Sequence, residues 1–167
     1  LVLQDRPANQ EKFAQSLFRT SSSQPFKIAV MILASIVLRT RNRAAMLTSA
    51  LNSLLVQHIP RDSFEVVIVD DCSSDETGEV VKRFLPLLRI KYIRHAERRG
   101  VSSALETGIR NAAGKYLFVL DDDDCFAPGM LKNCIERMEA DERLALLHVD
   151  WTVRDYTGRP TVVRRVR

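Results

Sequence analysis

Cysteine is scarce in this sequence, and its spacing excludes a zinc site. No two of the three cysteines, Cys72, Cys125 and Cys134, lie two to four residues apart. Their odd number argues against a secreted scaffold held by disulfides, and reduced thiols in a cytosolic compartment are the simpler interpretation. We therefore expect a cytoplasmic protein, whose association with a membrane would depend on segments outside this sequence.

Long hydrophobic runs and glycine-rich phosphate loops are also missing. The longest apolar stretch, residues 28–38, has 11 residues, whereas a helix needs roughly 20 to cross a bilayer. We therefore expect no membrane span in this segment. Neither a P-loop nor a dinucleotide-binding glycine pattern is present. Because the sequence starts at Leu1 rather than Met and stops at Arg167 within a Val/Arg-rich stretch, we expect it to be a piece of a longer protein.

The charge distribution argues against a nucleic-acid partner. The net charge is +4, and from Arg154 to the end there are five arginines against one aspartate, so residues 1–153 are neutral overall. A nucleic-acid-binding domain usually carries a basic face with aromatic residues between the charges, and neither feature is evident here. The hydrophobic fraction of 46% predicts a folded core.

The pattern of apolar residues predicts a short N-terminal helix and linker over residues 1–25, and an α/β domain over residues 26–167. Apolar, β-branched runs predict strands, and apolar residues at helical spacing predict helices between them. The predicted strands are residues 28–38, 64–69, 90–93, 115–120, 144–153 and 161–166, and the predicted helices are residues 42–56, 73–84, 101–112 and 128–138.

Strands that alternate with helices predict a mostly parallel sheet with helices on both faces. Ligands bind beyond the carboxyl ends of the strands in such sheets. Three polar segments fall at those ends: Thr40-Arg41-Asn42, Asp70-Asp71-Cys72-Ser73, and the run Asp121–Asp124. We expect them to converge on one edge of the sheet.

The four adjacent aspartates predict a divalent cation. Carboxylates this close repel one another unless a cation is present, and their hard oxygens suit Mg²⁺ or Mn²⁺. Because side chains alternate along a strand, Asp121 and Asp123 should face one way and Asp122 and Asp124 the other. The alternative is a solvated turn with a helix cap. Delivery of the run to the ligand edge by an apolar strand favours the metal site.

Asp70 and Asp71 predict a second polar contact at the same edge. A carboxylate can accept the ring N–H of uracil or guanine, whereas the alternative role for either residue is a helix cap. The following residues, 73–76, resemble a capping box that opens the next helix. Arginines after the first and third strands could each meet a diphosphate. The histidines, His58, His95 and His148, show no metal-ligand spacing.

Four motifs in series resemble the family 2 glycosyltransferases of GT-A fold. They are the first strand and loop at residues 34–43, a Val-Asp-Asp-Cys-Ser-Ser segment from Val69, the glycine-bounded helix and strand entry at residues 100–116, and Leu120 followed by the Asp-x-Asp pattern. The pattern is broken in places, because Arg39 replaces a usual proline, Arg41 a usual aromatic residue, and Leu105-Glu106 a frequent Arg-Asn or Leu-Asn.

The resemblance implies a nucleotide-diphospho-sugar donor, a Mn²⁺ or Mg²⁺ cofactor, and inversion at the sugar carbon. By position, Thr40 and Asn42 lie at the nucleotide edge and Asp71 holds the base. Asp121 contacts the ribose or a water on the metal, and Asp123 binds the metal. The donor expected first is a UDP-sugar, with dTDP- and GDP-sugars left open, and the acceptor is an unknown glycan, lipid or protein.

The resemblance also implies that the general base follows Arg167, so that the GT-A domain is truncated here. Asp150 and Asp155 are poor substitutes, because the pattern predicts them in a terminal hairpin. One alternative is a non-catalytic nucleotide-sugar-binding module or degenerate homologue. Another is a receiver-like signalling domain, which clusters aspartates at strand ends but places its acidic pair after the first strand. Here that strand ends in Arg39-Thr40-Arg41.

Overall fold

The computed structural model describes residues 31–154 and 160–164, so the helix and linker predicted over residues 1–25 lie outside the described part. The strands are β1 (Ala34–Thr40), β2 (Phe64–Asp70), β3 (Ile90–Arg94), β4 (Tyr116–Asp121), β5 (Trp151–Arg154) and β6 (Pro160–Arg164). The helices are α1 (Ala44–Leu54), α2 (Thr77–Phe84), α3 (Val101–Arg110) and α4 (Met130–Ala140), and a 3₁₀ turn (Arg61–Ser63) precedes β2.

The first four strands form one parallel sheet in the order β3-β2-β1-β4. All seven residues of β2 are buried. A strand is buried along its whole length in this way when helices cover both faces of the sheet. The predicted α/β architecture is therefore confirmed.

The two faces of the sheet are packed differently. On one face, Ile36 and Leu38 of β1 join side chains of α1, α2 and α4 in the main core. On the other face, α3 lies against β1 and β2. A Cβ on Gly108 would collide with Cγ1 of Val37, so this close approach requires glycine. It fixes α3 with its first residues beside the carboxyl end of β2.

Two strands begin several residues later than predicted. β1 begins at Ala34 rather than at residue 28; residues 31–33 lie outside the strand, and residues 28–30 are not described. Residues 144–150 are not a strand either, because β5 pairs antiparallel with β6 in a separate sheet that starts at Trp151. The apolar pattern there serves docking instead, since Leu144 and Leu147 pack against the main core.

No helix within residues 31–154 is both long and apolar enough to span a membrane.

Candidate functional site

The carboxyl ends of three adjacent strands meet at one edge of the sheet, as predicted. Thr40 at the end of β1 is in register with Asp70 of β2, and Arg39 is in register with Asp121 of β4. Asp71 N–H donates to the Thr40 carbonyl at 2.9 Å, which extends the pairing by one residue. Parallel pairing thus brings together polar residues that lie far apart in the sequence.

These ends border an open cleft of about 230 Å³. The predicted nucleotide-binding residues Thr40 and Asp71 line it, but Asn42, Asp121 and Asp123 do not. Four arginines give its wall a strong positive charge, which suits a ligand with phosphates. The lining residues are Arg39, Thr40, Arg41, Arg43, Asp71, Arg98, Gly100, Val101, Ala104 and Asp122.

The buried carboxylate of Asp71 holds the loop before α3. Its Oδ1 accepts the Arg99 N–H at 2.7 Å and contacts His95 Nδ1 at 2.9 Å, and its Oδ2 accepts the Gly100 N–H at 2.8 Å. Burial opposes ionisation, but these donors outweigh it and keep the pKa of Asp71 below its ordinary value. A carboxylate has about four acceptor positions, so Oδ2 retains one for a ligand N–H.

His95 supports Asp71 from behind and was not predicted as a site residue. It is buried, and its Nε2 lies 3.1 Å from Thr107 Oγ1. Thr107 Oγ1 also lies 2.8 Å from the Ser103 carbonyl, so Thr107 joins the His95 ring to the backbone of α3. One signal in the sequence points to His95: it directly follows β3, at the same edge of the sheet as the predicted residues.

Asp70 and Asn42 join the loops rather than face the cleft. Asp70 is buried and accepts hydrogen bonds from the Ser73 N–H at 2.7 Å and the Tyr92 hydroxyl at 2.6 Å. Asn42 has a positive φ of 53°, and its Oδ1 accepts the Ser74 N–H at 2.7 Å. The nucleotide contact assigned to Asn42 remains a prediction, while its observed role is to tie the loop after β1 to the loop after β2.

The predicted capping box at residues 73–76 is wrong. Glu76 at the start of α2 makes no capping hydrogen bond, and Ser73 Oγ accepts the Asn42 N–H at 2.9 Å instead. Asp75 takes the capping role, because its Oδ1 accepts from both the backbone N–H and the hydroxyl of Thr77. The same carboxylate accepts the Ala44 N–H at the start of α1, so it links two helices.

Asp122 turns inward from the aspartate run. Its Oδ2 accepts the Thr40 hydroxyl at 2.8 Å, and its Oδ1 accepts from Arg43 Nη1 at 3.0 Å. With only 7% of its side chain exposed, Asp122 ties the end of β4 to the end of β1.

Asp121, Asp123 and Asp124 form a second group, named here the acid cluster. Each offers a carboxylate oxygen within 4.8 Å of the others. The prediction that Asp124 points with Asp122 is wrong, because β4 ends at Asp121 and the chain turns. The Asp124 N–H donates to the Asp121 carbonyl at 3.1 Å, and strand alternation stops there.

Two arginines pair with carboxylates of the acid cluster. Asp121 Oδ1 lies 2.7 Å from Arg39 Nη2, yet this buried oxygen receives no aligned hydrogen bond from any described residue. Asp123 Oδ2 accepts from Arg43 Nη1 at 3.1 Å. Burial, followed by the negative charges of Asp123 and Asp121, raises the pKa of Asp124 above its ordinary value.

The acid cluster has the chemistry of a Mg²⁺ or Mn²⁺ site. Its donors are hard carboxylate oxygens close enough together to turn toward one ion. The buried Asp121 Oδ1 receives no aligned hydrogen bond from a described residue, and coordination to a cation would satisfy this oxygen. The predicted ligands Asp121 and Asp123 belong to this set, and Asp124 is a third candidate that alternation had excluded.

Comparison with known proteins identifies relatives of this chain. The model of glycosyl transferase family 2 matches residues 35–163. The poly(ribitol-phosphate) β-N-acetylglucosaminyltransferase TarS of Staphylococcus aureus is 32% identical over 100 residues, which are 59% of this chain and 18% of TarS. The succinoglycan biosynthesis protein ExoO of Rhizobium meliloti is 38% identical over 104 residues, which are 62% of this chain and 29% of ExoO.

Solved structures share the fold. A crystal structure of S. aureus TarS in complex with UDP-GlcNAc matches with a TM-score of 0.63 and 29% identity, over 65% of this chain and 31% of that one. The mannosyltransferase PcManGT of Pyrobaculum calidifontis, in complex with GDP-Man and Mn²⁺, matches with a TM-score of 0.59 and 29% identity, over 69% of this chain and 36% of that one. The predicted GT-A fold is confirmed, and the chain spans less than a third of the two curated relatives.

Proposed function

Because the chain belongs to glycosyltransferase family 2, we propose that it binds the donor of a metal-dependent transfer from a nucleotide-diphospho-sugar to a glycan, lipid or protein acceptor. The observation that carries this proposal is the convergence at one edge of the sheet. A carboxylate with a spare acceptor position, an arginine-lined cleft and the acid cluster lie side by side there. The carboxylate matches a base N–H, and the cleft matches a diphosphate. The acid cluster matches the cation that bridges to that diphosphate.

The nucleotide base is placed against Asp71 in this proposal. The remaining acceptor position on Asp71 Oδ2 would take the ring N–H of uracil, while the Gly100 N–H fixes the other position on that oxygen. The hydrogen bonds from Arg99, Gly100 and His95 hold the carboxylate still and ionised. Thr40 lines the cleft beside it.

The diphosphate is placed between the arginines and the acid cluster. Asp123 would bind the cation, with Asp121 binding it or contacting the ribose, and Asp124 completing the carboxylate set. The bound ion would neutralise the charge that develops on the diphosphate leaving group. Thr40 and Arg43 hold Asp122 in place behind the acid cluster. These roles fit an inverting transfer whose general base we place in a segment after Arg167.

A uridine nucleotide is the proposed donor base. The match to TarS in complex with UDP-GlcNAc supports uracil, whereas the match to PcManGT with GDP-Man and Mn²⁺ keeps guanine in view and supports the metal. A single carboxylate acceptor serves the N–H of either base, so the contact to Asp71 fits both. A competition experiment between UDP and GDP on the full chain would rank them.

Titration calorimetry with UDP tests the proposal. We expect UDP to bind the full chain more tightly when Mn²⁺ is present, and Asp123→Ala to abolish that metal-dependent increase. Asp62→Ala is the matched control, because Asp62 is an exposed aspartate in the turn before β2, at the opposite end of the strand. It should bind UDP and Mn²⁺ as the wild type does.

Equal UDP binding with and without Mn²⁺, in both the wild type and Asp123→Ala, would overturn the metal bridge. A separate measurement concerns turnover. If the general base lies after Arg167, the 167-residue chain should bind the donor but transfer little or no sugar. Robust transfer by this chain would contradict that placement, and donor binding without transfer by the whole protein would favour the non-catalytic alternative.

A further inference from the structure

The carboxylates that would bind a cation are already neutralised by arginines. Arg39 Nη2 lies 2.7 Å from Asp121 Oδ1, and Arg43 Nη1 lies 3.1 Å from Asp123 Oδ2. Of the acid cluster, Asp124 alone has no arginine partner among the described residues. Arg39 lies near the end of β1, in register with Asp121 of β4.

A divalent ion and these guanidinium groups compete for the same carboxylates. Mg²⁺ ligands lie about 2.1 Å from the ion, whereas the two guanidinium nitrogens lie about 3 Å from oxygens of the same carboxylates. An ion in the middle of the acid cluster would therefore sit against two positive groups. Because like charges at that separation repel, the ion can bind well only if the guanidinium groups withdraw.

Arg43 is anchored so that it can withdraw without leaving the site. The same Nη1 that contacts Asp123 also contacts Asp122 Oδ1 at 3.0 Å. Asp122 is buried and held by Thr40, whereas Asp123 is half-exposed. Arg43 can therefore keep its bond to Asp122 while releasing Asp123, and 49% of its own side chain is free to solvent.

The released arginines have an anion to meet. Arg39 and Arg43 both line the cleft in which the proposed diphosphate lies. A cation that arrives alone breaks both ion pairs, so that Arg39 loses its carboxylate partner and Arg43 keeps Asp122 alone as a partner. A cation that arrives with a diphosphate supplies new partners, because phosphate oxygens bind guanidinium groups well.

We propose that Arg39 and Arg43 are exchangeable counter-ions, which neutralise Asp121 and Asp123 before the cation binds and transfer to the donor's diphosphate when it does. This inference rests on the proposed function, because it requires the acid cluster to accept a divalent cation. It deepens that function by making cation and nucleotide bind cooperatively: each lowers the cost of binding the other.

Binding of Mn²⁺ without nucleotide is the first test, measured on the full chain from the paramagnetic resonance signal of free Mn²⁺. Arg43→Gln removes the competitor of Asp123 and should tighten Mn²⁺ binding about two- to fivefold, the range set by a partly exposed ion pair. Arg39→Gln should act in the same direction at Asp121. Arg41→Gln is the matched control, because Arg41 lines the same cleft but pairs with no described carboxylate. It removes the same charge and should tighten binding less.

Cooperativity with UDP is the second test. In the wild type, saturating UDP should tighten Mn²⁺ binding, and this gain should be smaller in Arg43→Gln because both the competitor and the phosphate partner are gone. Thermal unfolding checks the fold of each variant. Metal-free Arg43→Gln should melt below the wild type, since the acid cluster has lost a counter-ion, and saturating Mn²⁺ should close that gap.

The outcomes separate this inference from the proposed function. If the wild type binds no Mn²⁺ even with saturating UDP, the metal-dependent function is overturned and the exchange with it. If the wild type binds Mn²⁺ and UDP together, but Arg43→Gln and Arg39→Gln bind Mn²⁺ no more tightly than Arg41→Gln, the exchange alone is overturned. Tighter binding in both variants than in the control supports it.

Discussion

Asp71 and the acid cluster lie on opposite sides of β1, and their negative charges are stabilised by different kinds of partner. Asp71, after β2, is buried and receives three hydrogen bonds from its own chain, two of them from backbone N–H groups. The acid cluster, after β4, is mostly exposed and pairs with arginine side chains that are themselves partly exposed. The pKa of Asp71 is lowered and that of Asp124 is raised. Hydrogen bonds from the folded chain stabilise the negative charge of Asp71, whereas burial and the neighbouring negative charges of the acid cluster oppose the ionisation of Asp124.

One part of the site is therefore held rigidly, whereas the carboxylates of the other part can exchange their partners. Backbone donors cannot leave Asp71 without unfolding the loop before α3, so its position is set before any ligand arrives. Partly exposed guanidinium groups can leave Asp121 and Asp123 at little cost, because such ion pairs contribute roughly 0–1 kcal/mol. We expect the site to recognise the base with a prepared group and to bind the diphosphate by rearrangement.

Asp71→Ala should have the largest effect. It leaves the Arg99 and Gly100 N–H groups and buried His95 without their acceptor, so we expect a loss of about 3–5 kcal/mol in the free energy of unfolding. Urea denaturation measures the loss, and Asp62→Ala should change it by less than about 0.5 kcal/mol. A cost below about 1 kcal/mol would show that the loop before α3 does not depend on Asp71.

The ionisation of Asp71 predicts the direction in which the stability of the protein changes with pH. Because the folded-state pKa of Asp71 lies below its unfolded value, its contribution to stability is complete above about pH 4 and is lost as the pH falls through the folded-state pKa. Asp71→Asn removes the titrating group, so the stability difference between wild type and variant should shrink on acidification below pH 4. A constant difference across that window would contradict the assignment.

Substitutions of Asp122 and Asp124 compare a buried aspartate with an exposed one in the same run. Asp122→Ala removes the buried acceptor of Thr40 and one partner of Arg43, so we expect a loss of about 1–3 kcal/mol in unfolding free energy. Asp124→Ala removes one of three crowded negative charges and should leave metal-free stability within about 0.5 kcal/mol of the wild type, or raise it. Equal losses in both variants would show that the run is one structural unit.

The sheet and the convergence at its edge were predictable because they depend on local patterns. Apolar runs mark β1 to β4, and parallel strands bring their carboxyl ends together whatever the loops do. The boundaries that failed depend on distant partners. Residues 144–150 are apolar enough for a strand, but Leu144 and Leu147 pack on the core instead. No local signal distinguishes these outcomes.

Side-chain partners beyond the strand ends were less predictable for a similar reason. Thr40 and Asp122 are 82 residues apart in the sequence, and the contact exists only because β1 and β4 pair in one particular register. Asp124 joins the acid cluster because the chain turns after Asp121, where alternation no longer applies. The role of His95 depends on Thr107, which α3 supplies from another part of the chain.

Substitutions of Asn42 should have the smallest effects. They separate the contribution of its backbone conformation from that of its side-chain hydrogen bond. Asn42→Gly keeps the positive φ but loses the hydrogen bond to the Ser74 N–H, so it should cost about 1 kcal/mol in unfolding free energy. Asn42→Ala also strains the backbone and should cost about 1 kcal/mol more. If Asn42 only joins the loops, both variants should keep the UDP affinity of the wild type as long as they remain folded. If it contacts the nucleotide as predicted, both variants should lose equal affinity despite their unequal stability, because both lack the amide.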